Sequence, residues 1–206
     1  MKVLITAFEP YDVWQQNSSW DALVELLHRR GAMSGVSTRR YPCDLGQLVE
    51  RLNKDLSVGY DAVLHLGQAP GASRIQLEAI ALNVAGMTEA SGDFFGPLVP
   101  RGPVAYRTSF PLNDWYRALR QHSIPCSVSY HAGTYLCNAI LYLTQYWFEQ
   151  HNLNRPVGFM HIPLTSEQTI QSMRDLPSMS KQQAAEAIGL VLDQIMHSTC
   201  TEPEFA

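Results

Sequence analysis

A thiol, an imidazole and a carboxylate can together cut an amide bond by nucleophilic attack, and three residues of this chain have settings that fit the parts. Cys137 lies in His131-Ala132-Gly133-Thr134-Tyr135-Leu136-Cys137-Asn138. Ala-Gly-Thr reads as a loop opening a helix, which puts Cys137 in or next to the first turn. Free N–H groups and positive potential at a helix start favour a thiolate, which is the nucleophilic form, and can hold a developing oxyanion. His161 closes the apolar run Val157-Gly158-Phe159-Met160-His161, ahead of Ile162-Pro163. At the end of a buried parallel strand it would face the crevice where such sheets bind ligands, as a general base. Glu78 stands inside Ile75-Gln76-Leu77-Glu78-Ala79-Ile80-Ala81-Leu82-Asn83, where a carboxylate is costly unless partnered, and it could orient the base. Taken singly each has a plainer reading: a core cysteine, a buried histidine bonded to a carbonyl, an edge-strand carboxylate facing water. Asp44 and Asp61 read as cap or turn residues, and His131 as a surface or pocket-rim residue in the turn feeding the helix.

The elements that must position these residues alternate along the chain. Apolar, β-branched runs at 2–8, 36–41, 61–66, 127–129 and 156–161 read as strands. Helical spacing marks 18–30, with a Ser-rich start suited to a cap, and also 45–56, 112–122, 135–150 and 184–197. Residues 75–84 alternate imperfectly and read as one further strand. Gly, Pro and acidic residues over 86–102 lack a period and read as a loop. Alternating strands and helices imply right-handed crossovers and a sheet covered on both faces. The segments just after Phe8, Leu66, Ser129 and His161 should then gather at one end of the sheet. No repeat, low-complexity tract or linker interrupts the chain, so residues 1–206 read as one domain.

Composition narrows the function classes. The 206 residues are 46% hydrophobic and 17% charged, too apolar for disorder and low in charge for a fully solvated surface. That scarcity of charge points to a subunit interface and a homo-oligomer. A net charge of −4 speaks against a nucleic-acid partner. No apolar run nears the ~20 residues that span a bilayer, and the first residues read as a strand and turn rather than a signal peptide. A cytoplasmic protein with no membrane partner is the expectation. Cys43, Cys126, Cys137 and Cys200 show no CxxC or CxxH spacing, so neither a zinc site nor, without a secretion signal, disulfides are expected. No metal or cofactor is implied.

Together these motifs resemble those of the type I pyroglutamyl peptidases, or pyrrolidone-carboxylate peptidases, over nearly the full chain. Val3-Leu4-Ile5-Thr6-Ala7-Phe8-Glu9-Pro10-Tyr11 with Asn17-Ser18-Ser19 resembles the family's opening strand and pocket loop. Gly67-Gln68-Ala69-Pro70-Gly71 and Glu78-Ala79-Ile80-Ala81-Leu82-Asn83 resemble its glutamate motif. Ser127-Val128-Ser129 with Ala132–Asn138 resembles the cysteine motif, Gly158–Pro163 the histidine motif, and Pro177-Ser178-Met179-Ser180 the approach to the last helix. The resemblance implies an α/β fold, a three-layer α/β/α sandwich with a mixed, largely parallel sheet of the phosphorylase/hydrolase-like kind. It implies a cysteine exopeptidase that removes N-terminal 5-oxoproline from peptides, with Cys137 as nucleophile, His161 as base then acid and Glu78 as orienter. Phe8, Tyr11, Tyr135 and Leu136 would wall the lactam pocket, and Gln68 and Asn17 would contact the lactam's polar atoms or shape the pocket. It implies a dimer or tetramer. Three arginines usual in the family are replaced by Ala72, Ala79 and Thr88, and the loop from Asn83 to Gly102 is shortened, which implies slower turnover unless Arg74 or Arg101 substitutes. A related cyclic-amide amidase with altered specificity and a catalytically weak homologue that binds a small ligand are the alternatives.

Overall fold

The computed structural model describes the backbone of residues 1–89 and 92–197, and their side chains except those of 87–94. The first half of the chain forms β1 (Val3–Phe8), α1 (Ser18–Arg30), β2 (Val36–Tyr41), α2 (Leu45–Leu56) and β3 (Ala62–Gln68). The middle is strand-rich: β4 (Ile75–Glu78), β5 (Ile80–Leu82), β6 (Ala85–Glu89), β7 (Gly92–Gly96) and β8 (Ala105–Arg107). After it come α3 (Leu112–Gln121), β9 (Cys126–Ser129), α4 (Leu136–Gln150), β10 (Val157–Ile162), α5 (Ser166–Ser172) and α6 (Lys181–His197).

Six strands form the central sheet in the order β2-β1-β3-β10-β4-β9. The first four run parallel, while β4 is antiparallel to β10 and carries β9 parallel to itself. Strands β1, β3 and β10 are buried along their whole length, because helices cover both faces. Alternate residues point to opposite layers. Val3, Ile5, Ala7, Leu64, Leu77 and Met160 pack with α1, α3 and α6. Leu4, Phe8, Val63, Val157 and Phe159 pack with α2 and α4. The fold is thus the expected three-layer α/β/α sandwich.

Four readings of the sequence need correction. Residues 75–84 are two strands, since at Ala79 the chain leaves the main sheet: its N–H still reaches Ser129 O (2.7 Å), but its carbonyl accepts from Thr108 (3.0 Å), and β5 goes on to pair with β8. Within 86–102, read as a loop, β6 and β7 pair as an antiparallel hairpin. The short β8 and α5 were not anticipated. The end of β9 does not join those of β1, β3 and β10, because β4 and β9 run the other way; the chain turns back over residues 130–135 to start α4. Asn17, rather than a serine, caps α1 (Ser19 N, 3.1 Å), while Asp44 caps α2 as read. Cys200 lies outside the described residues.

Candidate active site

Helix α4 presents Cys137 at its second position. Tyr135 caps the helix in extended conformation without a side-chain bond to the first turn, so no side-chain cap takes up the first-turn N–H groups. Two contacts fix this end. Gly86 N donates to Thr134 O (2.8 Å), docking the start of the hairpin on the loop before α4. The fully buried Asn138 accepts from Leu82 N (2.8 Å) and donates to Leu82 O and Val84 O (2.9 Å each), clasping β5 to the helix. Beneath the thiol lies Gly67, where a Cβ would stand 2.8 Å from Cys137 Sγ and 2.6 Å from Phe159 Cζ. Only a residue without a side chain lets sulfur and ring both approach this strand.

His161 is the register partner of Gly67 on β10, so the imidazole rises beside the sulfur. On its other flank His161 pairs with Gln76 of β4, which puts Glu78 diagonally across on the same face. His161 Nδ1 meets Glu78 Oε1 at 2.7 Å, both side chains being buried. The other ring nitrogen is left free for Cys137, whose sulfur lies close enough to act on the imidazole. Burial by itself pushes the His161 pKa down, but the Cys137 sulfur and the Glu78 carboxylate outweigh it and hold the imidazole well above its ordinary range. The structure therefore brings together Cys137, His161 and Glu78 in a line of thiol, imidazole and carboxylate.

Next to this line opens a small cleft lined by Phe8, Tyr11, Asn17, Cys43, Gln68, Tyr135, Leu136 and Cys137. All six residues singled out as pocket-forming share this cleft with the thiol. Its walls are mostly apolar, the character that an uncharged ring calls for. Burial, aided by the nearby Cys137, pushes the Tyr11 pKa up to about 12, so the hydroxyl stays neutral. Cys43, which sequence reasoning missed because no motif marks it, donates to Glu9 O (3.3 Å); burial raises its pKa to about 12 and leaves it a poor nucleophile. Asn17 is fully engaged: Nδ2 donates to Glu9 O (2.9 Å), and Oδ1 accepts from Ser19 N (3.1 Å) and Ser19 Oγ (2.7 Å). It shapes the pocket loop. Gln68 Oε1 accepts from Ser18 N (2.8 Å), which turns the amide nitrogen the other way.

Of the positions where arginine is replaced, Ala79 directly follows Glu78 in the chain. Ala79 is buried at the β4–β5 step, and Ala72 sits in the turn after β3, donating to Ala69 O (3.1 Å). Thr88 lies on β6, and its side chain falls outside those described. Arg74 is exposed and acts on Cys126; Arg101 is exposed, in a turn with φ 62°. Among the described residues, the charges acting on His161 are those of Cys137 and Glu78. His131 is exposed and accepts from Gly133 N (3.1 Å) through Nδ1. No group of three His, Cys, Asp or Glu among the described residues is arranged to hold a metal ion.

Comparison with known proteins places the chain in a family. Residues 1–198 match the family model described as pyroglutamyl peptidase. A pyrrolidone-carboxylate peptidase of Yersinia pestis (strain Pestoides F) is 34% identical over 204 residues, covering 95% of this chain and 94% of that protein. A mutant pyrrolidone carboxyl peptidase of the hyperthermophile Pyrococcus furiosus superposes with a TM-score of 0.88 at 29% identity, over 97% of this chain and all of that one. The pyrrolidone carboxyl peptidase of Fervidobacterium islandicum AW-1 gives 0.86 at 27% identity, over 95% and 98% of the two chains. With full-length agreement in sequence and in fold, the chain belongs to the pyroglutamyl peptidase family.

Proposed function

We propose that this protein is a cysteine exopeptidase that hydrolyses the amide bond after an N-terminal pyroglutamyl (5-oxoproline) residue of a peptide. The observation that carries the reading is the imidazole of His161 held between the Cys137 sulfur and the Glu78 carboxylate at the wall of a small apolar cleft. In the mechanism we infer, the ring enters the cleft and its exocyclic carbonyl reaches the thiolate of Cys137. Attack forms a C–S bond, and the carbonyl electron pair moves onto oxygen, where the N–H groups of the first turn of α4 receive it. The tetrahedral species collapses as protonated His161 gives its proton to the leaving peptide amine, leaving a thioester. Neutral His161 then takes a proton from water as the hydroxide attacks the thioester; the C–S bond breaks, its electron pair returns to Cys137 as thiolate, free 5-oxoproline departs, and His161 keeps the proton, which restores the starting pair. Glu78 holds Nδ1 and stabilises the imidazolium at each stage.

Hydrolysis of a fluorogenic pyroglutamyl amide tests the proposal. The wild-type protein is expected to release the fluorophore, Cys137→Ser to release almost none, and iodoacetamide to label Cys137 ahead of Cys43 and Cys126. Activity that survives Cys137→Ser overturns the assignment. No helix among the described residues is long and apolar enough to cross a membrane. Leu143, Tyr146 and Trp147 remain half-buried on α4 and support self-association as a dimer or tetramer, which light scattering measures.

A further inference from the structure

One buried polar atom at the pocket lacks a hydrogen-bond partner among the described residues, and its orientation is set by a residue outside the pocket. Thr165 N, an unambiguous donor, meets one amide atom of Gln168 at 2.8 Å, so that atom is Oε1. The other is then Nε2, which donates to Gln16 O (3.0 Å) and to Gln68 Oε1 (2.7 Å). Ser18 N donates to the same Gln68 oxygen at 2.8 Å. Two donors thus fix the Gln68 oxygen away from the cleft, and the Gln68 amide cannot flip without facing N–H against N–H. Its Nε2 is buried and has no hydrogen-bond partner among the described residues. Tyr11 faces this amide, which acts to lower the pKa of its hydroxyl.

We propose that Gln168 is a positioning residue for substrate selection: by holding Gln68 with its N–H groups toward the cleft, it makes the pocket demand a hydrogen-bond acceptor on the ring. A buried donor left unpaired penalises any ligand that cannot satisfy it. A ring with a carbonyl satisfies it, and a proline-like ring of the same size does not. This deepens the proposed pyroglutamyl specificity and rests on it. Gln168 does not line the cleft or touch the reacting atoms; it acts through Gln68, from α5, which its own capping box with Thr165 starts.

The test compares wild type with Q168M, which keeps the length but removes donor and acceptor, and with Q168E, which keeps the acceptor for Thr165 N and removes the donor. With a pyroglutamyl fluorogenic amide, KM is expected to rise roughly tenfold, the equivalent of one neutral hydrogen bond, while kcat changes little. Binding of 2-pyrrolidone, followed by calorimetry, is expected to weaken by a similar factor, and that of pyrrolidine, already poor, to stay unchanged. The iodoacetamide rate at Cys137 is expected to hold, which a general loosening of the site would not allow. Unchanged KM and 2-pyrrolidone affinity in either folded variant overturn the inference, as does a loss confined to kcat or failure of both variants to fold. Wild type that binds 2-pyrrolidone over pyrrolidine but hydrolyses no pyroglutamyl amide instead overturns the proposed function, and the binding arm still decides the role of Gln168.

Discussion

His65 and His161 stand on neighbouring strands, and the ring of Phe159 lies against both, with centroids 6.4 Å and 4.7 Å away. Both imidazoles are buried, yet their surroundings drive them in opposite directions. Thr144 Oγ1 donates to Ile140 O (2.7 Å), so it can only accept from His65 Nε2–H (2.9 Å); His65 Nδ1 then accepts from Thr6 Oγ1 (2.7 Å). Both nitrogens are occupied by neutral hydroxyls, and burial pushes the pKa down to about 3. His161 has the Glu78 carboxylate on one nitrogen and the Cys137 sulfur on its other side, and its pKa rises. Burial is common to the two, so burial does not make an imidazole reactive. Charged partners and an adjoining cleft do.

The sharpest test exchanges the insult between the two regions. His161→Gln should lower kcat/KM by roughly ten-thousandfold or more, because members of such a set act as a unit, with little change in melting temperature. His65→Gln should do the reverse, costing about 1–3 kcal/mol of stability through unsatisfied hydroxyls with kcat/KM changed far less. Equal activity losses in both would erase the distinction. A smaller effect comes from making His161 more like His65. Glu78→Gln replaces the anion with a neutral partner, so turnover should fall roughly a hundred- to ten-thousandfold. The His161 pKa should fall with it, and the alkaline limb of the kcat/KM profile should move to lower pH. A limb that stays in place would separate Glu78 from the imidazole's charge.

The least of the expected effects is in acid. His65 has a folded-state pKa of about 3, below its ordinary value near 6.5. Between those values the unfolded chain binds a proton that the folded one refuses. Stability therefore rises with pH across that window and drains away as pH falls through it. Thermal melts from pH 8 to pH 4 should show this slope in wild type and a flatter one in His65→Gln.

The sequence made the helices α1, α2 and α4 legible, because their apolar faces recur at helical spacing and caps or turns bracket them. The catalytic line was readable as motifs, since a carboxylate in the apolar run at Glu78 and a histidine ending the run at His161 are each unusual where they stand. The 86–102 segment was not readable: the β6–β7 pairing is built from backbone bonds between residues with little apolar alternation. Reversal of β4 and β9 could not be inferred either, since short strands carry no mark of direction. Gln168 had a signal, the Thr165-Ser166-Glu167-Gln168 spacing of a capping box, but its reach to Gln68 across 100 residues belongs to the tertiary structure.

The bond between Glu78 and His161 closes a loop of 83 residues, and it forms across the one junction where the sheet reverses direction. Loops of that length are slow to close, and nothing local rewards the chain before they do. During refolding, α1, α2 and the parallel strands β1, β2 and β3 can assemble from nearby segments, while β10 must arrive and admit β4 on its far side. Helical signal should therefore return before enzymatic competence, and the interval between them times the docking of β4 against β10.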